Sequence, residues 1–293
     1  MSALPRLRPT IEGGAYISAF IDLLGLSNRL LGLENAVLRK AERAAVVAEA
    51  RASVGAIARL RSAFQEWYER FDAKATEREA PSHLTAEQRR LFDESKTHET
   101  FFQYFGDCVV ISVPVEPAHM MRTWHGISAM FAGIAAASLT LLSQGQVCRG
   151  GVEIGVSCQP YDNEILGASI VKAYGLEKRA RVPRILVGMD LQNFIRQSRE
   201  QQSGGFSAEM EMRYALLVER LLIADVDGER MVHYLAPEHV AAVSAIGPSS
   251  LIDSAKSFIE KTLGEARASE KSTCVEKYEW LHSYMTRYAP RDG

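Results

Sequence analysis

The sequence predicts an α+β fold, on three observations. A short apolar run, Ala19-Phe20-Ile21-Asp22-Leu23-Leu24-Gly25-Leu26-Ser27, reads as a buried strand that closes where a helix can begin. Two further apolar runs, Phe101–Phe105 and Cys108–Val113, flank Gly106-Asp107 and read as two strands joined at a turn. Between and after them lie long stretches rich in Ala, Glu and Arg with few breakers, a composition that favours helix.

In chain order, residues 1–14 read as a loose N-terminal arm with Pro5, Pro9 and a Gly13-Gly14 break. The Asp22 strand follows, with a helix starting near Ser27. Residues 34–74 form one long helix or two, Gly55 being the one candidate interruption, and the charged stretch 75–99 is a solvated connection with a short helical piece. After the strand pair, Pro114 and Pro117 end the second strand, and a helix runs over 118–143. Cys148–Val156 is a strand whose small residues allow another backbone to approach closely. A loop with Pro160 and Asp162-Asn163 leads to Gly167 and a helix to about 178, then Arg184–Gly188 gives a further strand. Helix over 189–223, interrupted at 201–207, a short strand at 230–235 and two helices at 250–266 and 270–287 complete the chain. Strand, helix, two strands, helix, strand is the βαββαβ order of a ferredoxin-like sheet. It implies an antiparallel sheet with helices on one face, a helical insertion at 34–99 and C-terminal helices, the other face being open to a ligand or a second copy. The partition expected is an arm at 1–14, a main domain at 15–190 and a helical extension at 191–293 that completes it.

At 293 residues, 47% hydrophobic and 24% charged, the chain has the composition of a globular protein with a full core. A net charge of −2 argues against a nucleic-acid partner, which calls for a basic excess. The four cysteines show no CxxC spacing, and Cys108 and Cys148 sit in apolar runs as small hydrophobes, favouring a reducing cytoplasm. The first apolar run carries Asp22 and lacks a basic leader, so no signal peptide is expected. The uncharged segment Ile127–Leu142 is 16 residues long and rich in Ala, Ser and Gly. A bilayer span needs about 20 apolar residues, so a buried helix is expected and no membrane partner. None of the seven histidines has an i+3 or i+4 partner, which removes the helical zinc pair. There is no GxGxxG, Walker A or nucleophile-elbow sequence.

The residues that carry chemistry are two carboxylates. Asp22 as an unpaired anion inside a buried strand would cost several kcal/mol, so it calls for a partner. Asp107, in the turn between two strands, is the candidate. Two carboxylates from remote segments suit a pair of divalent cations, which about 3.5–4 Å apart can clamp the attacking and leaving oxygens of a phosphoryl displacement. Taken singly, Asp22 reads equally as a carboxylate capping the next helix and Gly106-Asp107 as a plain turn.

Phe20-Ile21-Asp22-Leu23-Leu24-Gly25-Leu26-Ser27 resembles the first metal motif of class III nucleotide cyclases, Phe-x-Asp-Ile-x-Gly-Phe-Thr. Phe105-Gly106-Asp107 resembles the second, Arg149–Gly155 the family's Arg-x-Gly-Ile-x-x-Gly strand, and Gly167–Ala173 its Gly-x-x-Val-Asn-x-Ala helix start. The similarity spans roughly residues 15–190 in the family's order, making 15–190 a cyclase-like catalytic domain with a class III cyclase-type sheet. The resemblance implies that Asp22, Asp107 and the Leu23 carbonyl hold two Mn²⁺ or Mg²⁺ ions, oxygen ligands being what such hard cations take. It places Phe20 and the amides of Gly25, Leu26 and Ser27 at the substrate, the amides facing the phosphates from a helix N-terminus.

The sequence departs from the family at four positions. The base-reading positions are Gln103 and Glu164, which can hydrogen-bond a base edge outside the usual adenine or guanine pattern. The ribose-orienting Asn falls on Val171 and the transition-state Arg on Gly175, which argues against an ordinary purine cyclase. Lys172 and Arg179 share a helix face with Gly175, so Arg179 could act where the Arg is missing; the alternative is that basic residues here complement a helix C-terminus. Together the departures and the helical insertion resemble the bacterial pyrimidine cyclases of anti-phage signalling. That implies a homodimer with active sites at the interface, making cyclic UMP in preference to cyclic CMP for a cyclic-nucleotide-responsive effector. A sensor of the same fold without turnover, or a purine cyclase with an unusual base pocket, are the other readings.

Overall fold

A computed structural model describes residues 13–26, 31–32, 34, 43–200, 205–248, 250–269 and 272–290. Strands are β1 (Gly13–Leu23), β2 (Phe101–Phe105), β3 (Cys108–Val115), β4 (Cys148–Tyr161), β5 (Glu164–Gly167), β6 (Ile185–Val187), β7 (Leu222–Ala224) and β8 (Arg230–Val232). Helices are α1 (Arg43–Thr76), α2 (Ala86–Glu94), α3 (Met120–Ser143), α4 (Ala168–Arg179), α5 (Met189–Glu200), α6 (Phe206–Arg220), α7 (Pro237–Ile246), α8 (Leu251–Ala268) and α9 (Ser272–Tyr288). Among the described residues the sheet runs β2-β3-β1-β4-β6-β8-β7, with β5 folded back on β4. Its first four strands, β2-β3-β1-β4, pair antiparallel throughout, which is the ferredoxin-like arrangement. β6 extends this unit parallel to β4, and β8 and β7 follow antiparallel.

The period of two in β1 divides its side chains between the faces. Ile17, Ala19 and Ile21 are fully buried on the side of α3, beside Val109, Ile111 and Val113 of the paired strand. α3 is apolar nearly all round and buried on almost every side, as a core helix should be. It carries the described segment long and apolar enough to span a bilayer, and 78% of that window is buried within the fold. α1 lays the stripe Ala56, Leu60, Ala63, Phe64 and Trp67 against the core. Gly133 of α3 leaves only 3.0 Å between its missing Cβ and the Tyr68 backbone, so the two helices cross closely. Gly55 does not interrupt α1. α2 begins with a reciprocal cap between Thr85 and Gln88.

The other face of the sheet is not fully open, contrary to the expectation from the sequence, because α4 crosses β1 and β4 there. Gly151 and Gly155 of β4 make this possible: a Cβ on Gly151 would run into the Ala173 carbonyl and Leu176, and one on Gly155 would lie 2.7 Å from the Ser169 nitrogen. At the start of α4, four buried hydroxyls knit helix to sheet. Ser169 Oγ is 2.7 Å from both Ser18 and Ser157, and Ser18 is 2.8 Å from Ser112.

Three sequence readings change. Gly13 and Gly14 open β1 and pair with Cys158 and Ser157, so they are strand rather than a break. Pro160 lies inside β4, at a register irregularity where the missing N–H is tolerated, and Asp162-Asn163 turns the chain into β5. α7, β5 and β7 were not expected as elements. The helix start at Ser27 falls outside the described residues.

The C-terminal helices close over the β6–β8 edge. Arg184 pairs with Asp225 and Asp227, and Trp280 of α9 donates to Asp225 at 2.9 Å. His233 and His239 are buried, and burial holds both near a pKa of about 4. The unfolded chain therefore takes up protons between pH 6.5 and 4 while the folded protein does not; stability is complete above that window and falls as pH drops through it. Replacing His239, which stacks on Phe71 at 5.5 Å, by Phe is expected to flatten the acid limb of a Tm-against-pH curve; an unchanged slope would contradict this. Gly151→Ala is expected to destabilise by about 1–3 kcal/mol or more in urea titration, since α4 must lift from the sheet to admit the methyl.

Candidate active site

Asp22 occupies the last turn of the alternation in β1, on the face of Ser18 and Phe20. The register places it opposite Cys108 of β3 on one side and Arg149 of β4 on the other. Asp107 sits in the β2–β3 turn, where Gly106 adopts a left-handed φ of 58°. The Leu23 amide donates to the Asp107 carbonyl at 3.2 Å, tying the turn to the end of β1. The two aspartates, 85 positions apart in the chain, thus converge with Cys108, their ligand atoms all within 4.8 Å of one another.

The electrostatics of this corner are those of crowded anions. Burial pushes the Asp22 carboxyl above its ordinary pKa, and the neighbouring Asp107 adds to the shift. Arg149 works against it at 3.6 Å, while its Nε pairs with Glu177 of α4. Glu177 is 2% exposed, and burial raises its pKa too, with Arg149 opposing. The Cys108 thiol donates to Asp22 at 3.4 Å and is pushed far up by burial and by the adjacent carboxylates, so it stays protonated. Two carboxylate oxygens held close in partial burial, with a single guanidinium shared between Asp22 and Glu177, form a donor set that a divalent cation would relieve.

The remaining residues singled out in the sequence fall into three groups. Leu23 is buried with its amide on the turn, Gly25 carries the left-handed φ of 88° where the chain leaves β1, and Leu26 is buried in the core; Ser27 lies outside the described residues. Phe20 meets Tyr174 of α4 edge to face, ring centroids 5.1 Å apart. Gln103 lies against β5, its Oε1 accepting from the Ile165 amide at 3.1 Å, one residue beyond Glu164. Gln103 Nε2 is buried without a hydrogen-bond partner among the described residues. Lys172 and Arg179 are engaged elsewhere: Lys172 pairs with Asp190 at 2.8 Å and Arg179 with Glu229 at 3.1 Å. Gly175 between them faces open space.

Sequence reasoning gave no role to Arg149 or Glu177 and treated Cys108 as a core hydrophobe. Arg149 stood in a recognised strand motif, but its place beside Asp22 depends on strand register. Glu177 reaches Arg149 only because α4 lies so close to β4. Cys148 is buried as expected, with Ser138 Oγ 3.8 Å from its sulfur.

No protein-family model and no curated protein matches this chain. Among solved structures, a bacterial light-regulated adenylyl cyclase aligns over 80% of this chain and 97% of its own, at 14% identity and a TM-score of 0.36. The catalytic core of a rhodopsin-guanylyl cyclase with converted specificity, in complex with ATPalphaS, aligns over 76% and 95% at 10% identity and a TM-score of 0.32. Both neighbours are nucleotide cyclases. Likeness this distant carries no argument about chemistry, which rests on the carboxylate corner itself.

Two bare charges within 4.8 Å of each other repel by at least about 3.5 kcal/mol at an effective dielectric of ~20, and Arg149 offsets part of this. Asp22→Asn is therefore expected to stabilise the metal-free protein at pH 7 by about 1 kcal/mol, read as a higher Tm. A lower Tm would mean that Asp22 stabilises the fold rather than serving a site.

Proposed function

We propose that this protein is a divalent-metal-dependent nucleotide cyclase that converts a pyrimidine nucleoside triphosphate, UTP in preference to CTP, to the 3′,5′-cyclic nucleotide and pyrophosphate. The observation that carries this reading is the convergence of Asp22 and Asp107 at the end of the central strand. Asp22, Asp107 and the Leu23 carbonyl would hold Mn²⁺ or Mg²⁺. When bound, such ions supply the Lewis acidity that favours attack of the ribose 3′-hydroxyl on the α-phosphorus and departure of pyrophosphate.

The chain's own residues supply recognition. The turn at Gly25 and the amide of Leu26 lie just beyond Asp22 and, with the amide of Ser27, would bind phosphate oxygens. Gln103 carries a buried Nε2 donor with no partner among the described residues, and Glu164, on the strand that Gln103 Oε1 touches, carries a carboxylate that accepts. A donor and an acceptor suit the edge of uracil or cytosine as they suit that of adenine or guanine, so the pyrimidine reading rests on the departures at Gln103, Glu164, Val171 and Gly175 from the purine pattern. Phe105, Val171 and Tyr174 are exposed apolar side chains on the Asp22 face and α4, surface that a second copy would cover. In such a head-to-tail dimer Gln103, Glu164, Lys172 and Arg179 of one subunit would serve the aspartates of the other. Arg179, reaching past Gly175, would steady the transition state after leaving Glu229, and Lys172 after leaving Asp190. The product would be a second messenger of anti-phage defence read by a cyclic-nucleotide-responsive effector in the cytoplasm.

A second reading has its own observation: with Lys172 and Arg179 both ion-paired, a nucleotide sensor of the same fold would need neither. The assay incubates the purified chain with each of the four nucleoside triphosphates and Mn²⁺ and identifies products by mass spectrometry. Cyclic UMP is expected to dominate, and Asp22→Ala or Asp107→Ala to lower turnover at least ~10³-fold with the fold intact. Retained turnover in both variants would remove the metal assignment. A cyclic purine product would redirect specificity, and thermal stabilisation by nucleotide without product would favour the sensor.

A further inference from the structure

On the helical side of the sheet, away from Asp22, three side chains from separate segments meet. Asp72 comes from the end of α1, His98 from the connection between α2 and β2, and His125 from the start of α3. Both imidazoles are almost wholly buried and stack with centroids 4.7 Å apart. Asp72 Oδ1 is 3.5 Å from His98 Nε2 and 3.3 Å from His125 Nε2, and one ligand atom from each residue lies within 4.8 Å of the other two. Among the described residues, Asp72 Oδ1 and both ring nitrogens of His125 nevertheless make no hydrogen bond, nor does His98 Nδ1. The atoms are near one another without being aligned as donor and acceptor. Buried polar groups are ordinarily satisfied, so two orphans facing each other, Asp72 Oδ1 and His125 Nε2, call for a missing partner.

We propose that Asp72, His98 and His125 form a transition-metal site of the zinc class. A tetrahedral ion bonded to nitrogen and oxygen at about 2.0–2.2 Å spaces its ligand atoms about 3.3–3.6 Å apart, which is the separation found between Asp72 and the two imidazoles. Two imidazoles and one carboxylate select a borderline cation such as Zn²⁺ or Co²⁺ over Mg²⁺, which takes oxygen. The protonation states fit as well. Burial and the neighbouring His125 hold His98 down to about 4, and the two histidines hold Asp72 below its ordinary value, so His98 is neutral and Asp72 anionic near pH 7, the forms that ligate. The fourth corner falls to a water, because the Tyr68 hydroxyl is hydrogen-bonded 2.6 Å from His98 Nε2, too close for a co-ligand, and donates to Thr100. His98 Nε2 faces that hydroxyl in the metal-free protein, so binding moves the ring proton to Nδ1.

The consequence is mechanical. The ion would bolt α1 and the α2–β2 connection to the core helix α3, three residues before the strand that ends in Gly106-Asp107. Gly126 is required beside it, since a Cβ there would lie 2.8 Å from the His98 ring.

The test uses the full chain carrying Asp22→Asn and Asp107→Asn, which removes the other cation site. The protein is stripped with chelator, reloaded with Zn²⁺ and analysed by elemental mass spectrometry and thermal melting, and in parallel loaded with Co²⁺. One equivalent of zinc is expected, with Tm raised by about 5 °C at a hundredfold excess over Kd. Cobalt is expected to give the intense visible bands of tetrahedral coordination without a thiolate charge-transfer band. Asp72→Asn and His125→Gln, checked for fold by circular dichroism, should each weaken zinc binding by more than the ~10–100-fold typical of losing an outer-shell partner. Substoichiometric zinc in the folded parent, six-coordinate cobalt bands, or undiminished affinity in both folded variants would overturn the proposal, leaving a Tyr68–His98 hydrogen bond with Asp72 in electrostatic contact with the two imidazoles. The cobalt spectrum needs neither ligand variant, so it decides even where those fail to fold.

Discussion

The register of β1 is the constraint on which the rest depends. This strand pairs with β4 from Gly13 to Leu23 and with β3 from Ala15 to Asp22, so each residue over 15–22 has a fixed neighbour on both sides. Because side chains alternate, a slip by one residue would send Asp22 into the core and Ile21 to the cleft. The buried triplet Ile17, Ala19 and Ile21 forbids that slip, since it would expose three apolar side chains and bury an anion. Hydrophobic burial on one face thereby positions the carboxylate on the other.

The second constraint is the closeness of α4 to the sheet. Gly151 and Gly155 let the helix backbone lie directly on β4, and the four serine hydroxyls replace the water that would otherwise satisfy the polar surface. That proximity carries Glu177 to Arg149, which must then divide its guanidinium between Glu177 and Asp22. The result is a corner in which Asp22, Asp107 and Glu177 crowd around a guanidinium that two of them share, an arrangement that costs stability and is characteristic of a functional site.

Much of the architecture could be read from periodicity and breakers. β1, the β2–β3 hairpin, α3, β4 and α4 each announce themselves through an apolar run with a defined end. Elements of three or four residues, such as β5 and β7, carry too few positions for a period to register, and Pro160 misleads because a strand irregularity excuses its missing N–H. At the site, Asp22 and Asp107 were legible because each interrupts an apolar run where a charge needs a reason. Arg149, Cys108 and Glu177 were not, because their relation to Asp22 passes through register and helix approach rather than spacing. The same holds for His98 and His125, 27 positions apart, which no helical repeat connects.

Asp225 receives both Arg184, from the approach to β6, and Trp280, from the last helix. β6 is in turn hydrogen-bonded to β4, the strand that carries Arg149. The tail of the polypeptide is thus two short steps from the carboxylate corner. Loosening of α9 would take the Trp280 donor from Asp225 Oδ2 and leave that oxygen to Arg184.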